Sequence, residues 1–231
     1  MPHSFDKNYW DQTWDGDRAP AMSSGDPNPH LVREISGLAP GTALDAGCGA
    51  GAEAIWLAEN DWDVTGADVA RTALDYAEDR AAAAGLAGRI EWVRADLSVW
   101  EPATQYDLVT THYAHPAMGQ LEFYDRIADW VAPGGTLLIV GHLHHGHGGN
   151  SRKGYEHRHS NSNGRSSTGE SGHGHSHPPA EASATADSIA NRLDPCVWTV
   201  VTAEESQRTM VGSGGRATTI DDVVVRASRS H

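Results

Sequence analysis

Three aspartates in the first hundred residues each close a short apolar run. Asp45 ends the run opened by Thr42, Asp68 ends WDVTGAD, and Asp96 ends RIEWVRAD. Directly behind Asp45 the chain bends through Gly47, Gly49 and Gly51, within TALDAGCGAG (residues 42–51), and then reads AEAIWLAEN, a helical pattern. A carboxylate at a strand end accepts hydrogen bonds from hydroxyl or cationic groups. Glycines beside it let the backbone turn sharply and let a ligand approach closely. The helix behind them opens with unpaired N–H groups. Asp68 lies about 20 residues beyond Asp45, the spacing of a ribose-binding carboxylate in a nucleotide-binding βαβ unit.

These groups need a frame. The pattern predicts strands over Thr42–Ala46, Asp63–Ala67, Ile90–Arg94, Tyr106–Thr111 and Thr136–Val140. Helices are expected between them over Ala52–Asn60, Thr72–Ala84 (ending at Gly85) and Met118–Val131, stopped by Pro133. Alternating strands and helices imply a parallel sheet with helices on both faces, and acids at the C-terminal strand ends then face one crevice. Ahead of this core, Asn28-Pro29 is a helix start followed by the stripe Leu31, Val32, Ile35 and Leu38. Trp10 and Trp14, four residues apart, share one face of a short helix that docks two indoles or covers a ligand. Beyond the fifth strand, Ala180–Leu193 reads as a helix, and Val197–Thr202 with Ile220–Arg226 as an antiparallel edge pair.

The series TALDAGCGAG, GADV, RADL and VAPGGTLLIV resembles the motif series of class I S-adenosylmethionine-dependent methyltransferases, with Pro133–Gly135 the most specific piece. The resemblance runs from about Asn28 to Val140. It implies an α/β fold: a Rossmann-like three-layer sandwich with a seven-stranded, mostly parallel sheet and an antiparallel C-terminal hairpin. It also implies methyl transfer from S-adenosylmethionine to a small-molecule acceptor. Carried over residue by residue, Asp45, Gly47, Cys48 and Gly49 face the donor's amino-acid end. Asp68 takes the ribose hydroxyls, Val69 packs on the adenine, Asp96 and Leu97 meet its nitrogens, and Thr111 completes the cofactor set. The short aromatic N-terminus and the lack of an added substrate domain resemble the thiopurine and tellurite-resistance branch, so a thiol or metalloid oxyanion is the acceptor considered first.

The acceptor end is marked by THYAHP after the fourth strand, where His112, Tyr113 and His115 are the polar groups. His115, and less so His112, is a candidate general base, because imidazole titrates near neutrality. The other reading is a hydrogen-bonded histidine in the pocket wall. The stretch 142–179 is rich in Gly, Ser, Asn and His, with almost no large apolar residues, and reads as a flexible insertion. His144, His145, His147, His173, His175 and His177 are close enough in sequence to chelate nickel, zinc or copper. A metal-binding or metal-responsive protein on a methyltransferase-like scaffold is therefore the alternative reading. The expected organisation is one domain over 1–231, with an N-terminal lid segment (1–27) and that insertion.

With 231 residues and a net charge of −14, nonspecific binding to nucleic acid or anionic membranes is disfavoured. Two cysteines outside any Cys-x-x-Cys pattern, no apolar leader and no run long enough to span a bilayer point to a cytoplasmic location. Oligomeric state is not legible.

Overall fold

The computed structural model describes residues 5–16, 23, 25–143, 183–211 and 217–231. Seven strands form one sheet: β1 (Thr42–Ala46), β2 (Asp63–Asp68), β3 (Ile90–Arg94), β4 (Tyr106–His112), β5 (Val131–His142), β6 (Trp198–Val211) and β7 (Ala217–Arg229). Their order is β3-β2-β1-β4-β5-β7-β6. β1 to β5 are parallel neighbours, and β7 enters antiparallel between β5 and β6. The α/β architecture expected from the alternation is therefore present, including the antiparallel C-terminal pair.

The described helices are α1 (Lys7–Trp14), α2 (Pro29–Ile35), α3 (Ala52–Glu59), α4 (Arg71–Ala83), α5 (Gln120–Ala128) and α6 (Ala186–Ala190). Asn28 caps α2 as its sequence suggests, with its side-chain oxygen accepting the His30 N–H at 3.0 Å. The central strands are covered on both faces, so β1 and β4 are buried continuously over Ala43–Ala46 and Leu108–Thr111. One core layer, holding Leu44, Phe123, Ile127, Leu137 and Ile139, lies under α5 and α6. The other, with Leu31, Ile35, Leu57, Leu108 and Val224, lies under α2 and α3.

Several boundaries differ from the sequence reading for physical reasons. Pro133-Gly134-Gly135 lies inside β5 and does not precede it: a register shift opposite Tyr106 and Leu108 absorbs the irregularity, and Gly134 takes φ 81°. β6 and β7 run to 14 and 13 residues, much longer than expected. β6 is an edge strand, so its pattern mixes polar and apolar positions and hides its length. In α2 the buried positions include Glu34, not Val32, because Glu34 accepts a hydrogen bond from Thr202 and lies 3.5 Å from Arg226. His142, placed at the start of the insertion by sequence, is the last residue of β5. The rest of that stretch, with His144, His145, His147, His173, His175 and His177, lies outside the described residues.

Candidate active site

The glycine bend between β1 and α3 forms the floor of a cavity of about 390 Å³ at the C-terminal ends of β1, β2 and β4. All three glycines have positive φ: 83° at Gly47, 51° at Gly49 and 76° at Gly51. A Cβ at Gly47 would collide with Ala114, and one at Gly49 would come within 3.2 Å of Trp14 Cζ2. The bend thus needs glycine both for its conformation and for the groups packed on it. Asp68 ties the bend to β2. Its carboxylate accepts the Gly49 N–H and the Ala70 N–H, each at 2.9 Å. Burial raises its pKa, and the backbone donors at Ala70 and Gly49 pull it back. Asp96 lines the same cavity, with Oδ1 accepting from the Ser98 N–H and hydroxyl.

Under the bend lie polar atoms with nothing to bond. Asp45 Oδ2 and both ring nitrogens of His112 are buried without hydrogen-bond partners among the described residues. The two side chains approach to 4.0 Å and are 2% and 4% exposed. Burial raises the Asp45 carboxyl from 3.8 to about 6, and His112 draws it down. Orphaned buried groups carry a desolvation cost, so polar atoms left in this state beside a cavity fit a ligand that supplies the missing donors and acceptors.

The opposite end of the cavity is aromatic. Phe5 and Trp10 from α1 and its lead-in face His115, and His142 stacks between Tyr113 (4.4 Å) and His115 (5.6 Å). Trp10 Nε1 donates to the His115 carbonyl at 3.1 Å, so α1 lies over the cavity and is pinned there. Burial lowers the pKa of His115; burial, then His115, lowers that of His142 to about 4. Both imidazoles are neutral near neutral pH. Tyr113 takes a left-handed φ of 55°, held by a buried network: its hydroxyl donates to Asp222 Oδ1 at 2.6 Å and accepts from Arg208 Nη2 at 2.9 Å.

Residues 43–135 match a family model described as "Methyltransferase domain", and the seven-stranded sheet with its antiparallel C-terminal pair, and the glycine bend, are those the sequence resemblance implies. Residues 43–135 carry a methyltransferase domain. It is 29% identical over 138 residues to "Probable thiol methyltransferase 2" of Arabidopsis thaliana, covering 57% of this chain and 60% of the relative. It is 40% identical over 129 residues to "2-heptyl-1-hydroxyquinolin-4(1H)-one methyltransferase" of Mycobacteroides abscessus, covering 52% and 55%. The chain thus spans less than two thirds of either relative's length. A solved structure described as "Conversion of a Disulfide Bond into a Thioacetal Group during Echinomycin Biosynthesis" superposes over 97% of this chain and 91% of its own, with a TM-score of 0.66 and 22% identity. That likeness concerns the fold.

Of the residues the sequence singled out, Gly47, Cys48, Gly49, Asp68, Val69, Asp96 and Leu97 come together around the glycine-bend end of the cavity, and His112 and His115 also line it. Asp45 and Thr111 lie one layer behind the wall: Asp45 is 1% exposed, and the Thr111 hydroxyl donates to the Ala46 carbonyl at 2.7 Å. Cys48 is buried in the bend, and burial pushes its thiol well above the ordinary range, so it fills space and is not poised to react. Sequence reasoning missed Glu53, which accepts the Asn28 N–H at 3.0 Å, and the wall formed by His142. Only the position of Glu53 in the first turn of α3 signalled it. Among the described residues, no group of three His, Cys, Asp or Glu side chains could hold a metal ion.

The Asp45 carboxyl gives a stability prediction with a definite sign. Its folded pKa lies above the unfolded value, so the folded state binds the proton more tightly, and stability falls as pH rises from about 4 to about 6. Asp45→Asn should therefore raise the unfolding free energy at pH 8 by about 1–3 kcal/mol and leave it nearly unchanged at pH 3.5. Urea unfolding at the two pH values checks this.

Proposed function

We propose that the chain transfers a methyl group from S-adenosylmethionine to a small neutral nucleophile, with a thiol the first candidate. The observation that carries this reading is a single cavity with a glycine bend and two strand-end acids at one end and neutral aromatic and imidazole rings at the other. Asp68 and Asp96 would take the hydroxyls and adenine of the donor, and Val69 and Leu97 would pack on its base. The orphaned ring nitrogens of His112, on the cavity wall, suit the charged amino-acid end, with Asp45 one layer behind them. Bound there, S-adenosylmethionine supplies an electrophilic methyl group on a sulfonium.

The protein's own work is mainly positional. Holding acceptor and donor in line at near-contact distance is worth several kcal/mol of barrier. Trp10 and Trp14 on α1 close the cavity against water, which makes α1 a lid on it. His115 stands where a proton leaving the acceptor can be collected. The similarity to a thiol methyltransferase supports sulfur, and the similarity to a hydroxyquinolone methyltransferase supports an ionisable hydroxyl. Both are protonated nucleophiles of modest size. A cytoplasmic setting agrees with the two unpaired cysteines, Cys48 and Cys196, and no described helix is long and apolar enough to cross a membrane.

A donor-consumption screen tests the reading. Thiols, aromatic hydroxyls, amines, selenite and tellurite are offered in parallel, with and without chelator. Turnover of a thiol or aromatic hydroxyl that is indifferent to chelator is expected. Turnover of amines alone, or dependence on added metal, would refute it.

A further inference from the structure

The amide of Gln120 has one possible orientation. This buried first residue of α5 donates from Nε2 to the Ala114 carbonyl at 3.0 Å. The reverse orientation would set two acceptor oxygens against each other. Its Oε1 therefore faces His115 Nδ1, at 2.9 Å. An amide oxygen can only accept, so Nδ1 must carry the hydrogen. In a neutral imidazole the other nitrogen is then a bare lone pair. That nitrogen, His115 Nε2, is buried and has no hydrogen-bond partner among the described residues, and the ring lines the cavity.

From this geometry we infer that Gln120 is a positioning residue, fixing the His115 tautomer so that Nε2 takes the proton of an acceptor entering as a neutral thiol or hydroxyl. The inference rests on the methyl-transfer reading and narrows its substrate class. In the step, the S–H or O–H bond of the acceptor breaks and its proton passes to His115 Nε2. The freed electron pair forms the new bond to the methyl carbon, and the pair of the broken carbon–sulfonium bond stays on the donor's sulfur. Charge is conserved: one sulfonium is lost and one imidazolium gained, and the imidazolium returns its proton to water when the cavity opens. An acceptor that is already an anion, such as a metalloid oxyanion, would make no use of this arrangement.

The ionisable groups on the elements packed around His115 are few. Asp6, the cap of α1, and Lys7 line the cavity, with Lys7 paired to Asp11; Tyr124 on α5 is bonded to Gln120; His112 and Tyr113 lie at the end of β4 and His142 on β5. Arg208 and Asp222, from the hairpin, are bonded to each other and to Tyr113. Among the described residues, no carboxylate lies within hydrogen-bond distance of either His115 nitrogen. Burial lowers the pKa and the Gln120 bond raises it. Gln120 thus sets which nitrogen is free without holding the ring charged.

The test reads the tautomer directly and apart from activity. In the full chain with 15N-labelled histidine and no donor, His115 should show a protonated Nδ1 and an unprotonated Nε2 by NMR at neutral pH. Gln120→Leu should lose that preference. With a neutral thiol, Gln120→Leu should lower kcat by about 10- to 100-fold, and this loss should exceed the loss with thiocyanate, an anionic acceptor, by at least tenfold. Gln120→Glu keeps the acceptor for Nδ1–H, so it should restore the tautomer and move the pH inflection of kcat/KM upward. A protonated Nε2 in the wild-type chain, or equal losses with both acceptors, overturns the inference. The expected tautomer in a protein that consumes donor with no acceptor overturns the methyl-transfer reading instead, and the proton transfer with it.

Discussion

Replacing Asp68 with alanine is expected to raise the dissociation constant for S-adenosylmethionine about 100-fold, measured by calorimetric titration. Two losses combine in that figure. The carboxylate is the one strand-end acid that both lines the cavity and grips the glycine bend, through the Gly49 and Ala70 N–H groups at 2.9 Å. Removing it deletes an acceptor for ligand hydroxyls and leaves two backbone donors unpaired; a site built to bond a hydroxyl discriminates by two or more powers of ten when that bond is lost. Asp68→Asn separates the two effects. It keeps the volume and one acceptor oxygen, so it should bind more weakly than wild type and more tightly than Asp68→Ala. An unchanged affinity in Asp68→Ala would place the donor elsewhere and remove the cofactor assignment.

The largest effect on stability should come from Asp222, which is fully buried on β7. Asp222 accepts from the Tyr113 hydroxyl at 2.6 Å, Arg208 Nε at 2.5 Å and His30 Nε2 at 3.1 Å. Deleting one member of a buried charged network leaves the others uncompensated, and Asp222→Ala should cost about 3–5 kcal/mol of unfolding free energy by urea titration. The change should be felt in the cavity as well, because Asp222 holds Tyr113 in a conformation few side chains adopt. Asp222→Asn, which retains an acceptor, should cost markedly less. If Asp222→Ala proved neutral, the network would be incidental to the fold.

The contrast between these two sites shows what a sequence exposes. Asp68 was legible because everything that defines it is local: a strand end, a spacing from Asp45 and a glycine bend. β1 and β3 were placed to the residue for the same reason, since a short apolar run between turn signals has few alternatives. Asp222 was not legible. Its partners His30 and Tyr113 lie 192 and 109 residues away, and nothing near any of the three signals the others. The length of β6 was hidden because an edge strand need not be apolar on either face. Glu34 was read past because a helix position next to an arginine looks solvated until the far hairpin supplies Thr202. At the cavity, the histidines were visible as residue types, but their order in space was not. The stacking of His142 between Tyr113 and His115 depends on β5 running two residues further than its apolar core suggests.

The bond from the Trp10 indole to the carbonyl of residue 115 ties the cover of the cavity to its proposed acceptor wall. A cover anchored to the main chain of His115 cannot lift without breaking that bond. If His115 collects the acceptor's proton as proposed, departure of the methylated product and return of that proton to water would coincide. The indole itself reports it, since its emission changes as it passes from a ring-lined recess into water.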